Sequence, residues 1–157
     1  MKIDIREDNI FILSSWKFKK MYEKAFYPTT KELQLTQGEI DVLLFLFNNK
    51  PLDTAKDIAK YRSISKSMVS KSLDSLISKG FLTGEADSSD KRSIHLTILQ
   101  EAVPKVERLA EVQKKILRSL FSDITEDEYA VMKKIFNKID TNISKQLEEN
   151  GGKQKWK

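Results

Sequence analysis

The 157-residue chain has no cysteine. That absence excludes disulfides, zinc–thiolate centres and thiol redox sensing together. Histidine occurs once, at His95, so the ligand set of a dedicated transition-metal site is missing and no metal or cofactor is expected. Five glycines and three prolines are too few for a turn-rich sandwich and imply long helices. No apolar run reaches the length of a membrane span, and the first ten residues mix charge with apolar side chains. Neither a membrane helix nor a signal peptide is read, and the expected compartment is the cytoplasm, at the nucleoid. There is no paired nucleophile and base and no glycine-rich phosphate loop, so no enzyme is expected.

What is present is charge. The formal net charge is +5, an excess that suits a polyanionic partner. It is concentrated locally: residues 60–80 carry Lys60, Arg62, Lys66, Lys71 and Lys79 against one acid, Asp74, whereas residues 101–149 are nearly balanced. A local basic segment says more than the total.

Periodicity predicts helix nearly everywhere. Phe11, Phe18, Tyr22 and Ala25 recur at helical spacing in a first helix from Asp8 to Phe26, which Pro28 is expected to stop. "LTQGEIDVLLFLFNN" reads as a second helix, Leu35 to Asn49. Thr36 is its N-cap and Glu39 completes a capping box. Being apolar on most sides, it should be the central buried helix. Asp53 to Arg62 fits a short third helix. Ser65 caps a fourth, Lys66 to Lys79, with Met68, Val69, Leu73, Leu76 and Ile77 as its inward stripe and Gly80 just past its end. The period then falls to two in "FLTGE" and "SIHLTI", with the polar turn "ADSSDKR" between them: a β-hairpin in which His95 reads as a strand residue. Helical spacing resumes from Val103 to Leu120. Thr125 and Glu128 open a sixth helix whose stripe is Met132, Ile135, Phe136, Ile139, Ile143 and Leu147.

The order defines a mainly α fold, a winged helix-turn-helix of six helices plus a β-hairpin wing. The second helix of a helix-turn-helix can lie in the DNA major groove. Its exposed face here would be Ser65, Lys66, Ser67, Ser70 and Lys71, short hydroxyls and cations suited to phosphates and base edges. The wing tip, Asp90, Lys91 and Arg92, would reach the neighbouring backbone or minor groove. The alternative is a winged helix kept as a protein-interaction adaptor, against which the Lys and Ser content of the fourth helix argues.

Three stretches, "LTQGEIDVLLFL", "DIAKYRSISKSMVSKSLDSLISKGFL" and "DKRSIHLT", resemble in order and spacing the MarR-type winged-helix transcription regulators. The resemblance covers roughly residues 8–147. It implies a homodimer formed by the N- and C-terminal helices, reading one palindromic operator in double-stranded DNA, with Arg92 in the minor groove and Asp90 bracing the turn. Two positions depart from the family pattern: Thr83 and Gly84 stand where an Arg is common, and Gln100 where a Gly is common. The implied organisation is a dimerisation helix in 1–34, the winged domain in 35–99, dimerisation helices in 100–149 and a disordered tail in 150–157.

The expected role is a repressor of nearby genes, released by a small organic ligand. Trp16, Tyr22, Phe26, Phe45 and Leu109 are the candidate pocket, although an aromatic stripe at helical spacing also serves a core or dimer interface. The basic surroundings favour a small aromatic or anionic ligand such as a phenolic acid.

Overall fold

A computed structural model of the chain describes residues 10–62, 65–88 and 93–150. It comprises six α-helices and, among the described residues, one two-stranded antiparallel sheet. In chain order these are α1 (Ile10–Leu33), α2 (Gln37–Asn48), α3 (Ala55–Arg62), α4 (Lys66–Ser78), β1 (Leu82–Ala86), β2 (Ile94–Ile98), a 3-10 turn (Gln100–Ala102), α5 (Val103–Leu120) and α6 (Glu126–Asn150). The chain divides between Leu117 and Arg118 into two compact units.

In the first unit α2 is the central helix, with Ile40, Val42, Leu43, Leu44, Phe45 and Leu46 buried. Around it close Phe26 of α1, Ile58 of α3, Leu76 of α4, Leu82 of β1 and Leu109 of α5, none more than 1% exposed. The expected capping box is present: Glu39 N–H donates to Thr36 Oγ1, and Thr36 N–H donates to a Glu39 carboxylate oxygen. Gly80 adopts φ +73 at the end of α4, and Phe81 N–H bonds back to Leu76 C=O at 2.9 Å, closing that helix as expected.

The first helix corrects the sequence reading. Pro28 lies inside α1, which continues to Leu33. A proline within a helix costs roughly 3 kcal/mol, but Pro28 is on the solvent side while Phe26 and Thr29 are buried and Leu33 is half-buried on the face against the core. Packing of that face outweighs the local preference. The helix stops instead at Gln34, in the left-handed region with φ +52, and Leu35 N–H reaches Thr30 C=O at 3.0 Å. The third helix also starts later than expected. Asp53 and Thr54 are drawn alongside β2, where Asp53 C=O accepts from Leu96 N–H at 2.9 Å and Thr54 bridges His95. Thr54 then caps α3, its hydroxyl accepting from Asp57 N–H at 3.2 Å.

The hairpin pairs Leu82 with Ile98 and Gly84 with Leu96. A side chain at Gly84 would lie 2.8 Å from Ile94 Cγ2, so the strands approach closely only because that position is glycine. In the second unit, Thr125 and Glu128 form the expected capping box at the start of α6, and Phe121 packs edge-on against Tyr129 with ring centroids 5.2 Å apart.

One side chain ties three elements of the first unit together. Lys79 Nζ donates to both oxygens of the Glu39 carboxylate at 2.8 and 3.0 Å, and to Gln34 C=O at 2.8 Å. It thereby joins the end of α4 to the end of α1 and the start of α2. Burial pushes the Glu39 carboxyl up, but the hydrogen bonds from Lys79, Ser75 and Thr36 outweigh it and hold the group below the ordinary carboxylate value.

Candidate nucleic-acid interface

α3 and α4 are the two helices of the helix-turn-helix, and β1 and β2 follow as the wing. α4 is held by Val69, Leu73 and Leu76, which point into the core. Ser67 and Lys71 stand on its opposite face, Ser70 on its flank, and Ser65 and Lys66 at its N-terminal end, and all five are exposed. The first turn contains no acidic residue, so the positive end of the helix and both lysines face solvent with the same sign. Ser65 has a local task as well: its Oγ accepts from Met68 N–H at 3.3 Å and lies 3.0 Å from Ser67 Oγ. α3 adds exposed Lys56 and Lys60 on the helix that in this geometry crosses the DNA backbone. Lys56 carries no sequence signal of its own, since it lies outside the basic segment 60–80.

Met68 and Ile77 correct the inward stripe expected for α4. Met68 is 60% exposed and Ile77 45%. The buried stripe is the narrower i, i+4, i+7 set, and Met68, adjacent to Val69 in sequence, sits about 100° round the helix from it.

The wing residues Asp90, Lys91 and Arg92 lie outside the described residues. The root of the wing is described, and it contains an arrangement with no local sequence signal. His95 on β2 stands between two carboxylates, with Nδ1 2.7 Å from Asp53 Oδ1 and Nε2 3.0 Å from Asp87 Oδ2. Two ionised carboxylates can both accept only from a ring protonated on both nitrogens. The Asp53 and Asp87 contacts accordingly raise the His95 pKa above its ordinary 6.5. Asp53 precedes α3 and Asp87 follows β1, so the His95 ring fastens the wing to the helix-turn-helix. A group with a raised folded-state pKa contributes stability that is full below its unfolded pKa and lost as pH rises through the folded value. Replacing His95 with Asn should therefore lower the urea midpoint most near pH 5.5, with the gap to the parent narrowing by pH 8.5. A gap that widens with pH would contradict the bracket.

The five candidate pocket residues fall into two groups. Phe26, Phe45 and Leu109 are core residues, at most 2% exposed, and Tyr22 packs half-buried against them with its ring 4.7 Å from that of Phe26. Tyr22 Oη accepts from Gln113 Nε2 at 3.3 Å, and Gln113 Oε1 accepts from Asn48 Nδ2 at 2.9 Å, linking α1, α5 and α2. Trp16 is 62% exposed, with Lys20 Nζ 5.2 Å from the centre of its ring, and is not brought to the other four. A groove of about 520 Å3 does open in this unit, lined among others by Phe47, Lys50, Asp53, Leu96 and Ile98. It includes none of the five. Among the described residues no group of His, Asp and Glu is arranged to hold a metal ion, and no helix is long and apolar enough to cross a membrane.

A helix-turn-helix followed by a hairpin, with a cationic and hydroxyl-bearing second helix turned outward, is a winged helix, a DNA-binding module of transcription regulators. Residues 33–93, from the end of α1 to the residue before β2, match the family model of the MarR family. The match is confined to that part of the chain; over the rest, the likeness to solved MarR-family structures is one of fold. A MarR protein from Peptoclostridium difficile superposes with a TM-score of 0.76 at 21% identity, covering 95% of this chain and 96% of that one. The MepR–DNA complex of S. aureus gives 0.70 at 20% identity, covering 90% and 99%. BpsR of Bordetella bronchiseptica, whose DNA binding is regulated by 6-hydroxynicotinic acid, gives 0.66 at 18% identity, covering 89% and 98%.

Proposed function

We propose that the protein is a homodimeric, sequence-specific repressor that reads a palindromic operator and is released by a small aromatic or anionic ligand. The observation that carries the DNA reading is the outward face and N-terminal end of α4, where Ser65, Lys66, Ser67, Ser70 and Lys71 are exposed together on a helix whose other side is core. Each half of the dimer places one such face in the major groove, and the wing tip, Asp90 to Arg92, takes the adjacent minor groove.

Dimerisation is supported by apolar side chains that the single chain leaves in water. On α6 these include Ile135, Phe136, Ile139, Ile143 and Leu147, and on α1 Trp16 and Phe18. Burying each large apolar side chain contributes roughly 1.5–3 kcal/mol, so a stripe of this length is better covered than exposed. The N-terminal part of α1 and α6 are the dimerisation elements, and the winged lobe between them is the reading domain. Ligand release is supported by the likeness to BpsR, whose DNA binding is regulated by 6-hydroxynicotinic acid. The ligand acts only through unequal affinity for the DNA-competent and incompetent spacings of the two α4 helices.

One sedimentation experiment tests the reading. At micromolar concentration the protein alone should run at twice the chain mass, and with its operator duplex as two chains per duplex. A salicylate-type acid should return the duplex to the free fraction. A monomer that binds no duplex contradicts the proposal, and a stable complex indifferent to the acid removes the ligand from it.

A further inference from the structure

We propose that Met68 is a specificity-determining residue that reads the C5-methyl group of thymine in the major groove. The inference rests on α4 being the DNA-reading helix and goes beyond it by assigning the base and the atom that are read.

Met68 lies in the first turn of α4, three residues after the Ser65 cap. In a helix-turn-helix the N-terminal residues of the second helix are those that meet base edges. Val69, Leu73 and Leu76 of this helix are buried and Ile77 is exposed only at its far end, whereas Met68, in the first turn, is 60% exposed. Its thioether is therefore available on the reading surface. Its backbone N–H is already satisfied by Ser65 Oγ, so this residue offers the groove an apolar side chain and nothing else.

The surroundings select the occupant. Ser65, Ser67 and Lys71, its neighbours on the helix surface, are exposed, and the first turn holds no acid. A hydrophobic protein partner would meet an apolar side chain flanked by a lysine and two hydroxyls, the reverse of an interface centre, which is depleted of charge. Duplex DNA presents the complementary pattern: a lone methyl on the floor of the major groove, set between two rows of phosphates. Thymine is the base that places a methyl there, and apolar side chains are its usual partners. An unbranched, polarizable methionine adapts to such a contact without demanding an exact fit.

The experiment uses the full chain and a palindromic duplex that it selects from a randomised pool. Each thymine of the half-site, with its symmetry mate, is replaced in turn by deoxyuridine, which removes the methyl and leaves every hydrogen-bonding group. At one or two positions the parent should bind about fourfold more weakly per half-site, the worth of one buried methyl-sized group. Met68→Ala should bind the thymine and deoxyuridine duplexes alike at those positions, and Met68→Leu should restore the discrimination. Ser67→Ala should keep it, whatever its own affinity. Since Met68 is exposed, the thermal melt of each variant should match the parent and separates loss of reading from loss of fold. A parent indifferent to every replacement, or a Met68→Ala variant that still discriminates at the same position, overturns the assignment while leaving DNA binding by α4 intact. Failure to select any duplex would instead contradict the DNA-reading role itself, and the assignment with it.

Discussion

Reversing the charge of Lys66 and Lys71 together, as Lys66→Glu/Lys71→Glu, should reduce affinity for the selected duplex by at least about 100-fold at moderate salt. Each lysine that neutralises a phosphate releases a counterion, and its loss lowers the salt slope by about one. Two such residues per chain make four per dimer, so the slope of log affinity against log salt should flatten by about four, and the new carboxylates add repulsion. The fold should be untouched. Both side chains are exposed, neither is held in an ion pair among the described residues, and substitutions of that kind change stability by about 0.5 kcal/mol or less. Binding isotherms at three salt concentrations beside a urea melt decide the matter. Unchanged affinity in a folded variant would mean that α4 is not the reading surface.

Lys79→Met should destabilise the fold by about 2–3 kcal/mol. Glu39 is 2% exposed, and Lys79 is its cationic partner on both oxygens. Breaking a buried pair by removing one member leaves an uncompensated charge and typically costs about 3–5 kcal/mol. A third of the Lys79 side chain is open to solvent, which screens the pair and brings the expectation down. The same substitution frees Gln34 C=O at the end of α1. Adding Glu39→Gln should recover more than half of the loss, because no charge then remains stranded. The pH dependence gives an independent reading. A carboxyl held below its ordinary value contributes stability that is present above the unfolded pKa and is lost as pH falls through the folded one. The urea midpoints of the parent and of Lys79→Met should therefore differ most near neutral pH and converge in acid.

Signals that are local in the chain carried over from sequence to structure. Thr36 with Glu39 and Thr125 with Glu128 cap their helices as expected, because a capping box needs only residues three apart. Gly80 marks the end of α4, and the period-two alternation of Ile94, Leu96 and Ile98 marks the paired strand. The outward face of α4 was legible for the same reason: spacings of three and four residues gather Val69, Leu73 and Leu76 on one side and leave Ser67, Ser70 and Lys71 off it.

Features set by tertiary packing were not legible. Pro28 reads as a stop, yet burial of Phe26 and Thr29 carries α1 past it. Met68 counts as apolar and was placed inward, since composition cannot show how narrow the stripe is that α2 leaves room for. The bracket of His95 by Asp53 and Asp87 spans 42 residues on one side and 8 on the other, and only the pairing of Asp53–Thr54 with β2 brings it together. A ligand pocket has no sequence period at all, and the five aromatic and aliphatic candidates divide between the core and the surface accordingly.

The central claim is that two copies of α4 read one symmetric DNA site. Selection of bound duplexes from a randomised pool by the full-length chain tests it most directly. The account predicts enrichment of an inverted repeat whose half-sites lie about 10 bp apart, centre to centre, one turn of the double helix. An unenriched pool, or a single motif without two-fold symmetry, would contradict it.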